Sequence, residues 1–68
     1  MQVKLNGEPI SLPEGITVIQ LLERLQIDAH KVGVAVAVNR HVIPRREWQQ
    51  VRLQPGDQIE LVYARQGG

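Results

Sequence analysis

The chain has no cysteine and no phenylalanine among its 68 residues, and it carries one tryptophan, one tyrosine, one serine and one threonine. Without cysteine, no disulfide staples the fold, no thiolate site holds a metal, and no internal thiol acts as nucleophile or carries sulfur. The lack of phenylalanine leaves the core to Val, Leu, Ile and Ala. No apolar run approaches the roughly 18 residues of a membrane span. The first residues lack a signal-peptide pattern, so a soluble cytoplasmic protein with no membrane partner is expected. A chain this short makes one domain and buries only about 60% of the surface its unfolded form exposes.

Reactive groups are scarce in the same way. Ser11 falls in a predicted strand and Thr17 at a helix start, and neither has a base spaced for a Ser–His–Asp arrangement. His30 and His41 are not at helical i, i+4 spacing and read as exposed polar side chains rather than metal ligands. Neither G-x-x-x-x-G-K-[ST] nor G-x-G-x-x-G occurs, so no phosphate cradle is visible. The seven acids offer no pair that can be placed across a cleft. These absences argue against an enzyme. A formal net charge of +1 argues against nucleic acid as the main partner. Charge is uneven along the chain: acids lead before Ala29, whereas Lys31, Arg40, Arg45, Arg46, Arg52 and Arg65 outnumber the acids after it. That asymmetry reads either as a solvated mixed surface or as a basic patch that orients a protein partner.

What is present is a compact folding pattern. "QVKLNGEPISL" alternates on both sides of Asn6-Gly7, which predicts a hairpin because both residues tolerate positive φ. Pro9 withdraws a ladder donor and marks the second strand as an edge. "GITVIQLLERL" predicts a short helix with Thr17 as N-cap, Gln20 at capping-box spacing and an Ile16–Leu21 staple. Val18, Leu21, Leu22 and Leu25 form its apolar stripe. "GVAVAVN" predicts a strand with Val34, Val36 and Val38 on one face. Val42 and Ile43 suggest a short strand ended by Pro44, and Trp48 packs back from a turn, either covering the core with a wet indole N–H or anchoring an interface. Arg45 and Arg46 read as solvated. After the Pro55-Gly56 turn, "QIELVYA" predicts a last strand with Ile59, Leu61 and Tyr63 on one face. One helix over a mixed sheet of four to five strands is an α+β domain that can close as a β-grasp, with the last strand beside the first. Residues 1–63 then form the domain and 64–68 a free, flexible tail.

The tail is "ARQGG", Ala64 to Gly68. Gly67 and Gly68 have no Cβ, so they can thread a narrow channel with backbone angles barred to other residues. A carboxylate on Gly68, ionised at neutral pH, is a poor electrophile, but a partner can convert it to an acyl-adenylate open to attack by sulfur. Val62, Tyr63, Ala64, Arg65 and Gln66 would line the partner contact beside that reacting end, with Arg65 steering it.

"VAVAVNRHVIPRREW", "LQPGDQIELV" and the final "GG" together resemble the ThiS-type sulfur carriers of thiamin biosynthesis, a ubiquitin-like β-grasp family. Ile43-Pro44-Arg45 stands for the family's Val-Pro-Arg-type segment, and Gly56-Asp57-Gln58-Ile59-Glu60 for its strand entry. Arg40 departs from the smaller or neutral turn residue common there. The resemblance implies a carrier that is a substrate of enzymes and binds no cofactor of its own. A ThiF-type adenylating enzyme would spend ATP with Mg²⁺ on Gly68, a cysteine desulfurase would supply sulfur, and thiazole synthase would accept it from the thiocarboxylate. A molybdopterin-synthase small-subunit carrier and a ubiquitin-like modifier remain the alternatives.

Overall fold

The computed structural model describes residues 1–63. It contains β1 (Gln2–Leu5), β2 (Glu8–Ser11), α1 (Val18–Arg24), β3 (Val34–Val38), β4 (His41–Val42), a 3₁₀ turn (Arg45–Glu47) and β5 (Gln58–Tyr63). The strands form one sheet in the order β2-β1-β5-β3-β4. β1 and β5 are parallel, and the other neighbours are antiparallel. This is the expected α+β β-grasp arrangement, with Pro9 on the edge strand and β5 in the middle of the sheet.

Turn chemistry explains the two hairpins. Asn6 and Gly7 have φ of 49° and 85°, the two positive values that a type I′ turn requires. Asn39 and Arg40 repeat the pattern at 51° and 71°, joining β3 to β4 with Val38 opposite His41. The Arg40 conformation is one that side-chain-bearing residues adopt at a cost of about 1–2 kcal/mol.

The seven-residue α1 is too short to persist alone, and its exposed donors are accounted for. Thr17 and Gln20 form the expected capping box, with Gln20 N donating to Thr17 Oγ1 at 3.3 Å and Thr17 N to Gln20 Oε1 at 3.0 Å. The next donors go to the 48–53 segment: Val18 N to Val51 O at 3.0 Å and Ile19 N to Trp48 O at 3.0 Å. At the other end, Ile27 N reaches Leu22 O and Gln26 N reaches Glu23 O, while Gln26 holds φ of 60°. That is a Schellman ending with glutamine where glycine is usual.

The core comprises Val3, Leu12, Ile16, Val18, Leu21, Leu22, Val36, Trp48, Leu53, Ile59 and Leu61. Two expectations need correction. Leu25, placed on the helix stripe, is 36% exposed, because the helix ends at Arg24 and the chain turns away at Gln26 before that position reaches the sheet. The Trp48 indole N–H is not left to water: it donates to Ile43 O at 2.9 Å. Trp48 is 2% exposed, so it covers the core and is unavailable as an interface anchor.

Candidate functional site

β5 is the strand that leads to the tail, and its surroundings define the candidate site. In the β1–β5 ladder, Lys4 N donates to Asp57 O at 2.9 Å and Asn6 N to Ile59 O at 2.8 Å. β1 ends at Leu5, two residues into this pairing, while β5 continues to Tyr63. The Asn6 side chain takes over where the β1 backbone stops. Its Oδ1 accepts from Leu61 N at 2.9 Å and its Nδ2 donates to Leu61 O at 3.1 Å. A carboxamide thus stands in for a peptide unit and extends the ladder to Leu61. On the other side, β3 supports β5 through to Val34 opposite Tyr63.

The start of β5 is held by a second asparagine. Asn39 Nδ2 donates to Asp57 Oδ1 at 3.0 Å, and Asn39 Oδ1 accepts from Gln58 N at 3.0 Å. Asp57 Oδ2 accepts from Gln54 N at 2.7 Å, closing the Pro55-Gly56 turn, where Gly56 has φ of 83°. Asp57 is buried with its carboxylate satisfied. Sequence reading missed both asparagine ties and the burial of Asp57. An aspartate after Pro-Gly looks like an ordinary turn residue, and only the β3–β4 turn lying beside it reveals its second partner.

Past Leu61 the strand emerges from the core. Val62 is 66% exposed and Tyr63 43% exposed. Alternation puts them on opposite faces of the sheet, with Tyr63 on the helix side but beyond the buried residues. On the face away from the helix, Val62 lies opposite Ala35, Glu60 opposite Ala37, and Ala37 opposite exposed Val42. Ala35 and Ala37 offer only methyl groups there, next to the β5 terminus. An open groove of about 420 Å³ continues along the face, lined by Lys4, Asn6, Gly7, Arg40, Gln58, Ile59 and Glu60. The structure therefore brings the expected Val62 and Tyr63 to the strand end as exposed groups. The other expected site residues, Ala64, Arg65, Gln66, Gly67 and Gly68, lie outside the described residues.

The remaining basic residues divide by role. Arg45 is exposed, as expected, and is also a clamp: its guanidinium donates to the backbone oxygens of Ala29 and Lys31, the latter at 2.7 Å, and sits 4.6 Å from the Trp48 ring centroid. Arg52 Nη1 donates to Gly15 O at 2.6 Å, tying the loop before the helix to the 51–53 segment. Arg46 is exposed, as expected. His30 and His41 are exposed, and His41 Nδ1 donates to Asn39 O at 3.0 Å. Among the described residues no group of three or more His, Cys, Asp or Glu side chains could hold a metal ion, and no helix is long and apolar enough to cross a membrane.

The geometry is that of a small platform whose central strand, β5, leads into the tail segment. Comparison with known proteins agrees with that arrangement. The crystal structure of a thiamine biosynthesis protein (ThiS) from Geobacter metallireducens superposes with a TM-score of 0.82 at 30% identity, covering 100% of both chains. A solution structure of a thiamine biosynthesis protein from the same organism gives 0.83 at 30% identity, over 100% of this chain and 88% of that one. The sulfur carrier protein ThiS of Escherichia coli is 40% identical over 68 residues, covering 100% of both chains. A thiazole synthase from Paramagnetospirillum magneticum is 35% identical over 68 residues, which are 100% of this chain and 20% of that protein. A ThiS family model matches residues 3–68, and this chain belongs to the ThiS family.

Proposed function

We propose that this chain is a sulfur carrier for thiamin biosynthesis, with the Gly68 carboxylate as the carrying group. The observation that carries the reading is the family match, which runs through Gly67 and Gly68. The platform supports it: a sheet tied at both ends of β5 presents the tail segment from a fixed origin. The chain is a substrate of enzymes rather than an enzyme. A ThiF-type adenylating partner binds ATP and Mg²⁺ and joins AMP to Gly68, releasing pyrophosphate. The terminal sulfur of a persulfide supplied by a cysteine desulfurase then attacks the activated carbonyl, and AMP leaves. A second partner thiol cleaves the acyl disulfide so formed, which releases the thiocarboxylate and leaves the partner's two sulfurs as a disulfide. Thiazole synthase takes the sulfur from the resulting thiocarboxylate. This chain contributes the carboxylate and the docking surface and no cofactor. A cycle that draws on ATP is in keeping with a cytoplasmic setting.

Glycines at the end of the tail reduce steric bulk in a partner's channel. Their ordering on docking costs roughly 1–2 kcal/mol per residue, which the contact around Val62 and Tyr63 offsets. The test is transfer of isotopically labelled sulfur in the presence of adenylating enzyme, desulfurase, ATP and Mg²⁺. Label is expected on the peptide ending at Gly68, with a mass gain equal to the difference between sulfur and oxygen. Label that never reaches Gly68 overturns the reading. Removing Gly67 and Gly68 is expected to abolish transfer and leave thermal unfolding unchanged.

A further inference from the structure

The Asn6-Gly7 pair has a chemical property beyond its turn geometry. An asparagine followed by glycine is open to attack by the glycine's backbone nitrogen on the side-chain carbonyl carbon, because no Cβ shields that nitrogen. At this turn the attacking side is open. Gly7 has free space where a Cβ would be, and its N–H has no acceptor among the described hydrogen bonds. The carbon that would be attacked is restrained instead, because both polar atoms of the Asn6 carboxamide are bonded to Leu61, 55 residues away in sequence.

We propose that Asn6 is a site of spontaneous deamidation whose rate is set by release of this carboxamide from Leu61. In the step, Gly7 N loses its proton to hydroxide or buffer and forms a bond to Asn6 Cγ. The Cγ–Nδ2 bond breaks and ammonia leaves, giving a succinimide. Water then opens the ring at either carbonyl to give aspartate or isoaspartate at position 6. Solvent supplies the only co-reactants, and no oxidant or reductant takes part.

The product cannot remake the tie. A carboxylate has no hydrogen to donate to Leu61 O, and its oxygen faces that carbonyl with like partial charge. The isoaspartate form also adds a methylene to the backbone of a two-residue turn, which shifts the hairpin register. Deamidation therefore frees the β1-side support of β5 at the position from which Val62 and Tyr63 emerge. The chain contains its own control. Asn39, the only other asparagine, also has positive φ and a fully engaged carboxamide. It precedes Arg40, however, whose Cβ crowds the attacking nitrogen.

The test follows the intact protein in mildly alkaline buffer, folded and in urea, by peptide mapping with isoaspartate detection. Conversion is expected at Asn6 and not at Asn39. It is expected to run roughly ten-fold slower in the folded protein than in urea, because the carboxamide must first break two hydrogen bonds. Equal folded and unfolded rates, or conversion of Asn39 as fast as Asn6, overturn the proposal. A second readout is hydrogen exchange at the Leu61 amide in Asn6→Asp, or in wild-type chains deamidated in place should that variant not fold. Exchange is expected to accelerate, and unchanged protection refutes the role of the latch. Neither readout involves sulfur transfer, so the result stands or falls apart from the carrier reading.

Discussion

Asn39 and Asp57 meet side chain to side chain, Nδ2 to Oδ1 at 3.0 Å, and so join the turn between β3 and β4 to the turn that starts β5. Asp57 accepts a second hydrogen bond from Gln54 N at 2.7 Å. Hydrogen bonds to a charged group contribute about 1.5–3 kcal/mol. Asp57→Ala is therefore expected to lower unfolding free energy by about 2–3 kcal/mol, read by denaturant titration. Asp57→Asn, which keeps one acceptor oxygen, should lose less. A loss equal to that of alanine would show that charge matters more than geometry here.

Gln26 and Arg40 hold left-handed φ angles of 60° and 71° with full side chains. Glycine relieves that strain but gains freedom in the unfolded chain, so Gln26→Gly and Arg40→Gly should each stabilise by only about 0.5–1 kcal/mol. Arg40→Val should destabilise by about 1 kcal/mol or more, since a branched Cβ tolerates this region poorly. Thermal midpoints that rank valine at or above glycine would sink the turn assignment.

Trp48 carries two separable contributions. Trp48→Ala removes the largest fully buried side chain and is expected to cost about 3–5 kcal/mol, enough to unfold a domain of this size. Trp48→Phe keeps an aromatic ring but leaves Ile43 O without the indole donor, a loss of about 1–3 kcal/mol. Both are measured by circular dichroism, and near-equal losses would mean that the indole hydrogen bond is the dominant part.

Val62→Asp and Val42→Asp compare two exposed valines on the face away from the helix, 66% and 73% exposed. Both should change stability by less than about 1 kcal/mol, the usual span of substitutions at exposed strand positions. Only the change at Val62, beside the tail, is expected to weaken association with the proposed adenylating partner. Arg65→Glu should slow that association and reverse its salt dependence. Equal effects from positions 42 and 62 would place the docking surface elsewhere.

How far each feature could be read in advance follows from how local its cause is. The Asn6-Gly7 hairpin, the Thr17–Gln20 cap and the central placement of β5 were legible because each rests on residues within a few positions, or on strand order. The Asn39-Arg40 turn was legible only through the family resemblance, since arginine itself carries no turn signal and the conformation is imposed by the pairing of Val38 with His41. The Arg45 clamp was not legible because its acceptors, Ala29 and Lys31, lie 16 and 14 residues away. Leu25 continued the apolar period after the helix itself had stopped. For the candidate site, the exposure of Val62 and Tyr63 was anticipated, whereas the asparagine that ends β1 and grips Leu61 was visible only as a turn former.

The latest described strand in the chain is also the one every other part of the sheet waits for. Until residues 58–63 leave the ribosome, β1–β2 and β3–β4 are two hairpins with no shared neighbour, and isolated hairpins are marginal in water. Closing the β1–β5 pairing spans more than fifty residues (Lys4 to Gln58) and carries the entropy of that loop. Assembly is thereby put in order: a chain truncated before β5 is complete lacks both the finished platform and the segment beyond it. Partner enzymes that recognise the assembled sheet would for that reason pass over chains that stop short of β5.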